Sequence, residues 1–589
     1  MFRLFAAVRV VIVGWIGLLL AACGAPAVAQ DTMPPKRELR GIWIATVENI
    51  DWPSSRTLTP EQQRREYRRM LDKGQQAGIN AVFVQVRPAS DAFYKSDLEP
   101  WSKWLTGQQG RAPAPAYDPL PFLIEEAHAR GMEFHAWFNP YRASLDSVTR
   151  RLAPNHQFKQ HPEWFIRYTG KLLYNPGLPE VRAYITRVIL DVVRRYDVDG
   201  IHFDDYFYPY PEPGQKIHDE EAYARYNPQN LALADWRRQN VNQLIESLHD
   251  SIRHTKRWVK FGISPFGVWM NKSAHPEGSD TRAGQPSYAN LYADTRLWLQ
   301  QGWIDYVVPQ LYWSSNFKLV PYATILDWWA RNHFDRHLYI GHGMYRMLEN
   351  TRGDTTWRNP RELPRQIRMN RAYPTDVSGS LFFSARSLLA NPLHTTDSLR
   401  LNLFRYPALV PAMPWMDAVP PRPAQNLLIT RAGGPVKLSW QAGPAATDGD
   451  TARYFVVYRF AEGETPGPDD PRRIVALVRH RPGQVQQLQD TAARAGQEYA
   501  YYITAVDRLH NESRPARVTT LSPQPEPMVA QEPPTVTPPI PETLPQKPAT
   551  TTATARPARP QPGAQASTTK VKVKVKPKKR GFFGRLFGK

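Results

Sequence analysis

Strand-like and helix-like segments alternate along residues 38–400, and this alternation constrains the fold more than any other feature of the sequence. Eight short runs of strand-forming residues are each followed by a helical pattern. Eight such units predict a (β/α)8 TIM barrel, an α/β fold. An open doubly wound sheet also alternates, but no Gly-rich phosphate loop follows the first strand, and the count of eight favours closure. The predicted strands are Leu39–Thr46, Asn80–Arg87, Glu133–Asn139, Gly200–Asp205, Lys260–Pro265, Asp305–Tyr312, Leu338–Met344 and Gly379–Ser384.

Two of the helices can be placed from local signals. Thr59 is a typical N-cap, Pro60 suits the first helical position, and Gln62 at the third completes a capping box. A second helix is predicted from Pro179 to Tyr196, since its apolar residues repeat at helical spacing; they are Val181, Ile185, Val188, Ile189 and Val192.

The C-terminal ends of the predicted strands carry unusually polar and aromatic residues. In a TIM barrel the active site lies at this edge. Aromatic rings offer apolar faces on which sugar rings can stack, and amides and charged groups can bind hydroxyls, although aromatic residues here can also simply plug the barrel. The candidate substrate-binding residues are Arg87, Asp91, Trp137, Asn139, Tyr141, His202, Tyr206, Gln310, Tyr312 and Trp313.

The fourth strand gives the sharpest chemical signal. Side chains alternate along a strand, so the apolar Ile201 and Phe203 face the helices while His202 and Asp204 face the barrel interior. Asp205 follows at the rim, and two carboxyl groups among aromatic residues suggest hydrolysis of a glycosidic bond. Two alternatives remain open: an aspartate here can cap a helix or pair with an arginine, and Asp-Asp with a nearby histidine can bind a divalent metal. We expect neither a metal nor another cofactor.

Several motifs together resemble the glycosyl-hydrolase-like family 10, whose members are bacterial lipoproteins and secreted proteins with a glycosidase-type barrel. The resemblance covers roughly residues 36–400 of a barrel domain predicted over residues 36–410. It implies a glycoside hydrolase acting outside the cytoplasm, with peptidoglycan glycan strands as the preferred substrate. It leaves the catalytic pair open. We expect Asp204 to be the nucleophile or base, with Asp205 and Glu48 competing for the acid role. The motifs are Glu38–Trp43, Val84–Pro88, Ala136–Arg142, Asp199–Tyr206 and Pro309–Trp313.

The fourth strand also resembles chitinase-type barrels, which carry the pattern Asp-Gly-x-Asp-x-Asp-x-Glu. Tyr206 stands where that pattern has its terminal acid, so substrate-assisted chitinase chemistry is not expected. Besides Glu48, the loops offer Asp51, Asp91 and Asp280 as sources of an acid.

Two further segments follow the barrel. Residues 422–521 read as short alternating strands that resemble a fibronectin type III sandwich, with Tyr499 as its corner tyrosine. Residues 523–589 are rich in proline and end in a basic tail, which predicts a disordered linker. The tail carries 12 Lys or Arg and 3 Glu, so it supplies nine of the net 21 positive charges. This pattern suits an anionic membrane or envelope polymer, although a solvated tail remains possible; nucleic acid is not an expected partner.

The N-terminus has the pattern of a secretory signal. In residues 1–22 an apolar run follows Arg3 and Arg9, and Cys23, the only cysteine of the chain, comes directly afterwards. This arrangement resembles a bacterial lipobox, with Cys23 as the lipid attachment site; an ordinary signal peptide with a chance cysteine is the alternative. The sequence therefore predicts a lipid-anchored envelope hydrolase of the outer membrane. A glycan-binding protein without activity and a metal-dependent carbohydrate esterase are its rivals.

Overall fold

The structure is a computed structural model, and it describes residues 33–349, 354–430, 435–461, 463, 464, 467, 469–494 and 496–519. The predicted signal peptide, the lipid attachment site Cys23, and the linker and tail at 523–589 lie outside these residues. Within the described part of the chain, every helix is too short or too polar to cross a membrane.

Eight parallel strands close into a barrel, which confirms the predicted fold. Each strand pairs with the next barrel strand along the chain, and the last pairs with the first: Leu39 lies opposite Gly379. The barrel strands are β1 (Leu39–Ile44), β2 (Ala81–Arg87), β3 (Glu133–Phe138), β7 (Gly200–Phe203), β8 (Lys260–Ile263), β9 (Tyr306–Val307), β10 (His337–His342) and β11 (Val377–Phe382); in the loop after β3 lie β4 (Arg142–Ser144), β5 (Phe165–Tyr168) and β6 (Lys171–Tyr174).

The helices surround the barrel and begin where the sequence signals them. Thr59 accepts a hydrogen bond from the Gln62 backbone and completes the capping box. The helices are α1 (Pro60–Gln76), α2 (Lys103–Thr106), α3 (Pro119–His128), α4 (Gln157–Gln160), α5 (Pro179–Arg195), α6 (Glu220–Arg225), α7 (Leu233–Thr255), α8 (Ser287–Asn290), α9 (Thr295–Gln300), α10 (Tyr322–Ala330), α11 (Glu362–Arg371), α12 (Ala385–Ala390) and α13 (Thr395–Ser398).

Large side chains fill the barrel, and glycines on neighbouring strands make room for them. A Cβ atom added to Gly262 would lie 2.2 Å from ring atoms of Tyr306, and one added to Gly200 would lie 2.4 Å from Nδ1 of His135. The interior is therefore a packed core rather than a pore. Its apolar part is formed by Leu39, Trp43, Ala45, Ala81, Phe83, Trp137, Tyr306, Val308, Tyr339, Leu381, Val410 and Met413.

Two parts of the barrel differ from expectation. The sixth strand was expected to run from Asp305 to Tyr312, but β9 is only Tyr306–Val307, because Pro309 has no N–H to continue the ladder. The loop after β3 contains a small antiparallel sheet of β4, β6 and β5, none of which is among the predicted strands. Thr169 and Gly170, with φ values of 48° and 72°, form the tight turn between β5 and β6.

Two antiparallel sheets follow the barrel and enclose a second core. One sheet has the order β12-β13-β16 and the other β15-β14-β17-β18, and Trp440 packs between them against Phe455. This all-β domain agrees with the predicted fold class. The hydroxyl of Tyr499 accepts a hydrogen bond from the backbone N–H of Arg494 at 3.2 Å. The strands are β12 (Gln425–Thr430), β13 (Val436–Gln441), β14 (Tyr454–Ala461), β15 (Ile474–Arg479), β16 (Gln486–Asp490), β17 (Tyr499–Val506) and β18 (Ala516–Thr519).

The all-β domain packs against the N-terminal end of the barrel. Glu133, the first residue of β3, is buried between Lys260 of β8 and His510 of the second domain, with 2.6 Å to the histidine. At the same end Asp197 pairs with Arg453 and Arg508 at 2.8 Å and 2.7 Å. The C-terminal rim, where the candidate site lies, is at the opposite end.

Candidate active site

Asp204 lies at the centre of the barrel's C-terminal rim, directly after β7. The side-chain amide of Asn139 donates to both of its carboxylate oxygens, at 3.0 Å and 3.1 Å, and the backbone N–H of Tyr206 donates to Oδ1 at 3.4 Å. Asn139 follows β3, the neighbouring barrel strand, so the two strand ends hold Asp204 in place. The Asn139 carbonyl oxygen Oδ1 in turn accepts from the Arg142 backbone at 3.0 Å, which fixes the orientation of the amide.

Asp205 is buried beside Asp204 and has its own hydrogen-bond partners. The hydroxyl of Tyr210 donates to Oδ2 of Asp205, and the side chain of Gln310 also hydrogen-bonds to this carboxyl group. The amide of Gln310 donates to the Ser264 carbonyl at 2.9 Å, so β8 and the segment after β9 position it. The two carboxyl groups are thus supported by four different strand ends.

Burial and mutual repulsion change the protonation of this pair. Burial, together with the charge of Asp205, raises the pKa of Asp204 to about 7, although the guanidinium of Arg142 opposes the shift. Burial also raises the pKa of Asp205, and the Tyr210 hydroxyl opposes that shift. Two interacting carboxyl groups titrate as a pair, so this pair keeps a bound proton to a higher pH than an isolated aspartate does. One acid and one base can therefore coexist in this site.

Arg142 links the pair to the neighbouring loop. Its guanidinium lies 4.4 Å from the centre of the Tyr206 ring and donates to the carbonyl of Pro88 at 3.3 Å. It is buried, and its charge favours the ionised form of Asp204. A cation stacked on an aromatic ring and held by a carbonyl is well fixed, which preorganises the field at the carboxylates.

His202 lies inside the barrel, below the carboxyl pair, where the strand alternation placed it. The Trp43 indole donates to Nε2 at 3.2 Å, and the hydroxyls of Tyr306 and Ser264 lie 3.2 Å and 3.1 Å from the two ring nitrogens. Burial holds the pKa of His202 well below its usual value, so the ring is neutral. This residue supports the floor of the site.

Arg87, expected to bind substrate, is engaged in a buried ion pair. Its guanidinium contacts both oxygens of Glu99, at 2.8 Å and 2.5 Å, and donates to the carbonyls of Asn139 and Pro140 at 2.6 Å and 3.1 Å. Both charged side chains are at most 1% exposed. We infer that Arg87 positions the segment carrying Asn139 and does not contact a ligand.

The aromatic side chains of the rim fall into two groups. Tyr206, Trp313 and two residues that sequence reasoning missed, Tyr345 and Phe383, are half-buried and reach the rim surface, as does Gln310. Trp137, Tyr141 and Tyr312 are buried beneath them. Among the described residues, the Trp137 indole N–H and the Tyr141 hydroxyl have no hydrogen-bond partner. Both donors are buried below the rim surface.

The four acids expected from the loops have different environments. Glu48 is exposed, in a left-handed turn after β1, and lacks the burial that a general acid requires. Asp51 is buried and accepts hydrogen bonds from the Ala45 backbone N–H and the Ser384 hydroxyl, so it links the ends of β1 and β11. Asp91 is buried and lines a cleft between the loops after β2 and β3, and Asp280 is exposed. None of these four acids replaces Asp205 as the candidate partner of Asp204.

Tyr210, Tyr345 and Phe383 could have been found in part from the sequence. Tyr345 and Phe383 follow β10 and β11, so the strand-end rule covers them. Tyr210 lies in an irregular loop, and its contact with Asp205 depends on the path of that loop, for which the sequence has no periodic signal.

A group that could hold a cation lies away from this rim. Ligand atoms of Asp417, Asp448 and Asp450 lie within 4.8 Å of one another. The guanidinium of Arg257 approaches Asp448 and Asp450 at 3.4 Å each, which already supplies a positive charge.

Comparison with known proteins finds similarity to glycosyl hydrolases. The model of the family described as Glycosyl hydrolase-like 10 matches residues 38–359. Glycosyl hydrolase YngK from Bacillus subtilis (strain 168) is 44% identical over 488 residues, covering 82% of this chain and 93% of that protein. Glycosyl hydrolase DigH from Escherichia coli (strain K12) is 40% identical over 379 residues, covering 61% of this chain and 84% of that protein. Among solved structures, the PgaB (BpsB) glycoside hydrolase domain from Bordetella bronchiseptica has a TM-score of 0.41 at 15% identity, covering 62% of this chain and 98% of that chain.

Proposed function

This chain belongs to the Glycosyl hydrolase-like 10 family, and we propose that it hydrolyses O-glycosidic bonds in the glycan strands of bacterial peptidoglycan. The observation that carries this proposal is the buried pair Asp204 and Asp205 at the barrel rim, in which burial raises the pKa of both carboxyl groups. Glycoside hydrolysis requires one carboxylic acid and one carboxylate. The half-buried rings of Tyr206 and Trp313 offer the apolar faces on which sugars stack.

The two aspartates have different roles in the proposed reaction. Asp205 donates its proton to the glycosidic oxygen as the bond to the anomeric carbon breaks. Asp204 acts on the opposite side, either by attacking the anomeric carbon or by taking a proton from the attacking water. The Asn139 amide and the Arg142 guanidinium stabilise the negative charge that Asp204 must carry to act as nucleophile or base. One water is consumed, and one new reducing end forms per bond cleaved.

The envelope location belongs to the same proposal. A lipid on Cys23 would anchor the protein to a membrane, and the residues after the predicted cleavage point suit the outer membrane. The basic tail would bind an anionic membrane or envelope polymer. The all-β domain, as a fibronectin type III module, would serve as a spacer.

The reaction class is tested with water labelled with ¹⁸O. Purified glycan strands are incubated with the enzyme in labelled water, and the products are analysed by mass spectrometry. Hydrolysis predicts one ¹⁸O atom at each new reducing end. Strands that are bound but never shortened would refute hydrolysis of this substrate and favour a glycan-binding protein.

Substrates with different leaving groups distinguish the roles of the two aspartates. An aryl glycoside with an acidic phenol needs little protonation, so Asp205→Asn should retain most of its activity on it, while Asp204→Asn loses activity on both aryl glycosides and glycan. The reverse pattern would exchange the roles. Matched circular dichroism spectra show that both variants are folded.

A further inference from the structure

A cleft of about 660 Å³ opens at the C-terminal end of the barrel, between the loop after β2 and the loop after β3. Its volume is in the range of small-molecule and saccharide sites. Nothing in the hydrolysis described above uses it. Its walls include Asp91, Lys103, Gln109, Ser144, Arg150 and Arg151.

The cleft carries a positive charge. Arg56, Arg150 and Arg151 line it and are exposed, and no described residue forms an ion pair with any of them. Lys103 lies 3.9 Å from Asp146, so these two charges offset each other. Three free guanidinium groups around one cleft favour an anionic ligand, since guanidinium pairs well with a carboxylate.

Asp91 provides a second, independent sign of a ligand. It lines the cleft, is 1% exposed, and its Oδ1 has no hydrogen-bond partner among the described residues. The Gln109 amide contacts Oδ2 at 3.4 Å, and the Ser102 hydroxyl also hydrogen-bonds to this carboxyl group. Burial raises the pKa of Asp91 to about 7. A buried polar atom without a partner is costly, and a ligand hydroxyl or amide would satisfy it.

The cleft borders the segments that carry Pro88 and Arg142. Ala89 and Ala143 of its lining flank the contact between the Arg142 guanidinium and the Pro88 carbonyl. Arg142 stacks on Tyr206, whose backbone donates to Asp204. A polymer passing over Arg142 would therefore reach both the cleft and the carboxyl pair.

We propose that this cleft is a binding subsite for a carboxylate-bearing sugar of the same glycan strand that is cleaved at Asp204 and Asp205. Arg150 and Arg151 pair with the carboxylate, and Asp91 hydrogen-bonds a hydroxyl or acetamido group of that sugar. This inference rests on the proposed function and specifies its substrate as an anionic glycan.

The test compares glycan strands before and after their carboxyl groups are converted to amides. We expect the wild type to show a KM about tenfold higher on amidated strands, corresponding to one charge-assisted contact. Arg150→Ala/Arg151→Ala should raise KM on native strands by a similar factor, leave kcat unchanged, and no longer distinguish the two substrates. Asp91→Ala should raise KM on both substrates equally, because it contacts an uncharged group.

The control removes the same charge elsewhere. Arg365 and Arg368 are exposed on α11, and Arg365→Ala/Arg368→Ala should behave as the wild type. The subsite is refuted if the Arg150/Arg151 variant keeps the wild-type KM and selectivity, or if the control changes as much. Direct binding of native and amidated strands by sedimentation gives a separate readout. If the wild type cleaves no strands, the proposed function fails. The subsite would still be supported if the wild type binds native strands more tightly than amidated strands and the Arg150/Arg151 variant does not. Equal binding of native and amidated strands by the wild type would refute the subsite.

Discussion

Replacing Arg87 by methionine separates two interpretations of this residue, ligand binding and internal support. The variant removes four hydrogen bonds, two to Glu99 and two to the carbonyls of Asn139 and Pro140. The Glu99 carboxylate then remains fully buried without its cation. Its remaining contacts are with uncharged hydroxyls, Tyr184 at 3.2 Å and Ser90 at 3.4 Å.

The expected loss of stability follows from that buried charge. Breaking a buried ion pair by removing one partner costs about 3–5 kcal/mol, a large part of the ~5–15 kcal/mol that stabilises a folded domain. The double variant Arg87→Met/Glu99→Leu should recover part of this loss, because no charge is then left buried. The assay is the urea unfolding midpoint, followed by tryptophan fluorescence, with the exposed Arg69→Met as control. An unchanged midpoint together with a raised KM would refute internal support and make Arg87 a ligand contact.

Three further predictions concern packing and protonation. Gly262→Ala should lower the melting temperature, since its Cβ would lie 2.2 Å from the buried Tyr306 ring and overpacking costs about 1–3 kcal/mol; Gly284→Ala, with nothing within 4 Å, is the control, and equal melting of both would contradict the packing. Burial raises the pKa of Asp91 from 3.8 to about 7, so the wild type loses stability as pH rises through this window; Asp91→Asn should melt higher than the wild type at pH 8, with the difference closing at pH 4. Tyr210→Phe removes a donor that lowers the pKa of Asp205, so the alkaline limb of the kcat/KM profile should move to higher pH, and an unmoved limb would exclude Asp205 as the proton donor.

The barrel could be predicted from the sequence because its strands and helices have different hydrophobic periods and alternate regularly. The alternation within Ile201–Asp204 also placed His202 and Asp204 in the interior correctly. Helix bounds were predictable where capping residues mark them, as at Thr59. The carboxyl pair and Asn139 followed from the rule that barrel sites lie at strand ends.

Contacts between loops could not be predicted in this way. The Arg87–Glu99 pair joins a strand end to a residue 12 positions later, and the Tyr210–Asp205 contact lies within an irregular loop. In both cases the path of the backbone determines which residue is the partner, and no local sequence pattern predicts that path. Glu48 looked equivalent to Asp205 in the sequence, and only its exposure separates them.

The most direct test of the proposed chemistry compares Asp204→Asn with Asp280→Asn. Both changes replace a carboxylate by an amide of the same shape, but Asp204 is buried at the rim and Asp280 is an exposed loop residue. New reducing ends are counted on purified glycan strands, with folding of each variant verified by its melting curve. We predict that kcat falls by about 10²-fold or more in Asp204→Asn, as for loss of a catalytic carboxylate, and stays at the wild-type value in Asp280→Asn. Wild-type turnover by a folded Asp204→Asn enzyme would contradict the central claim.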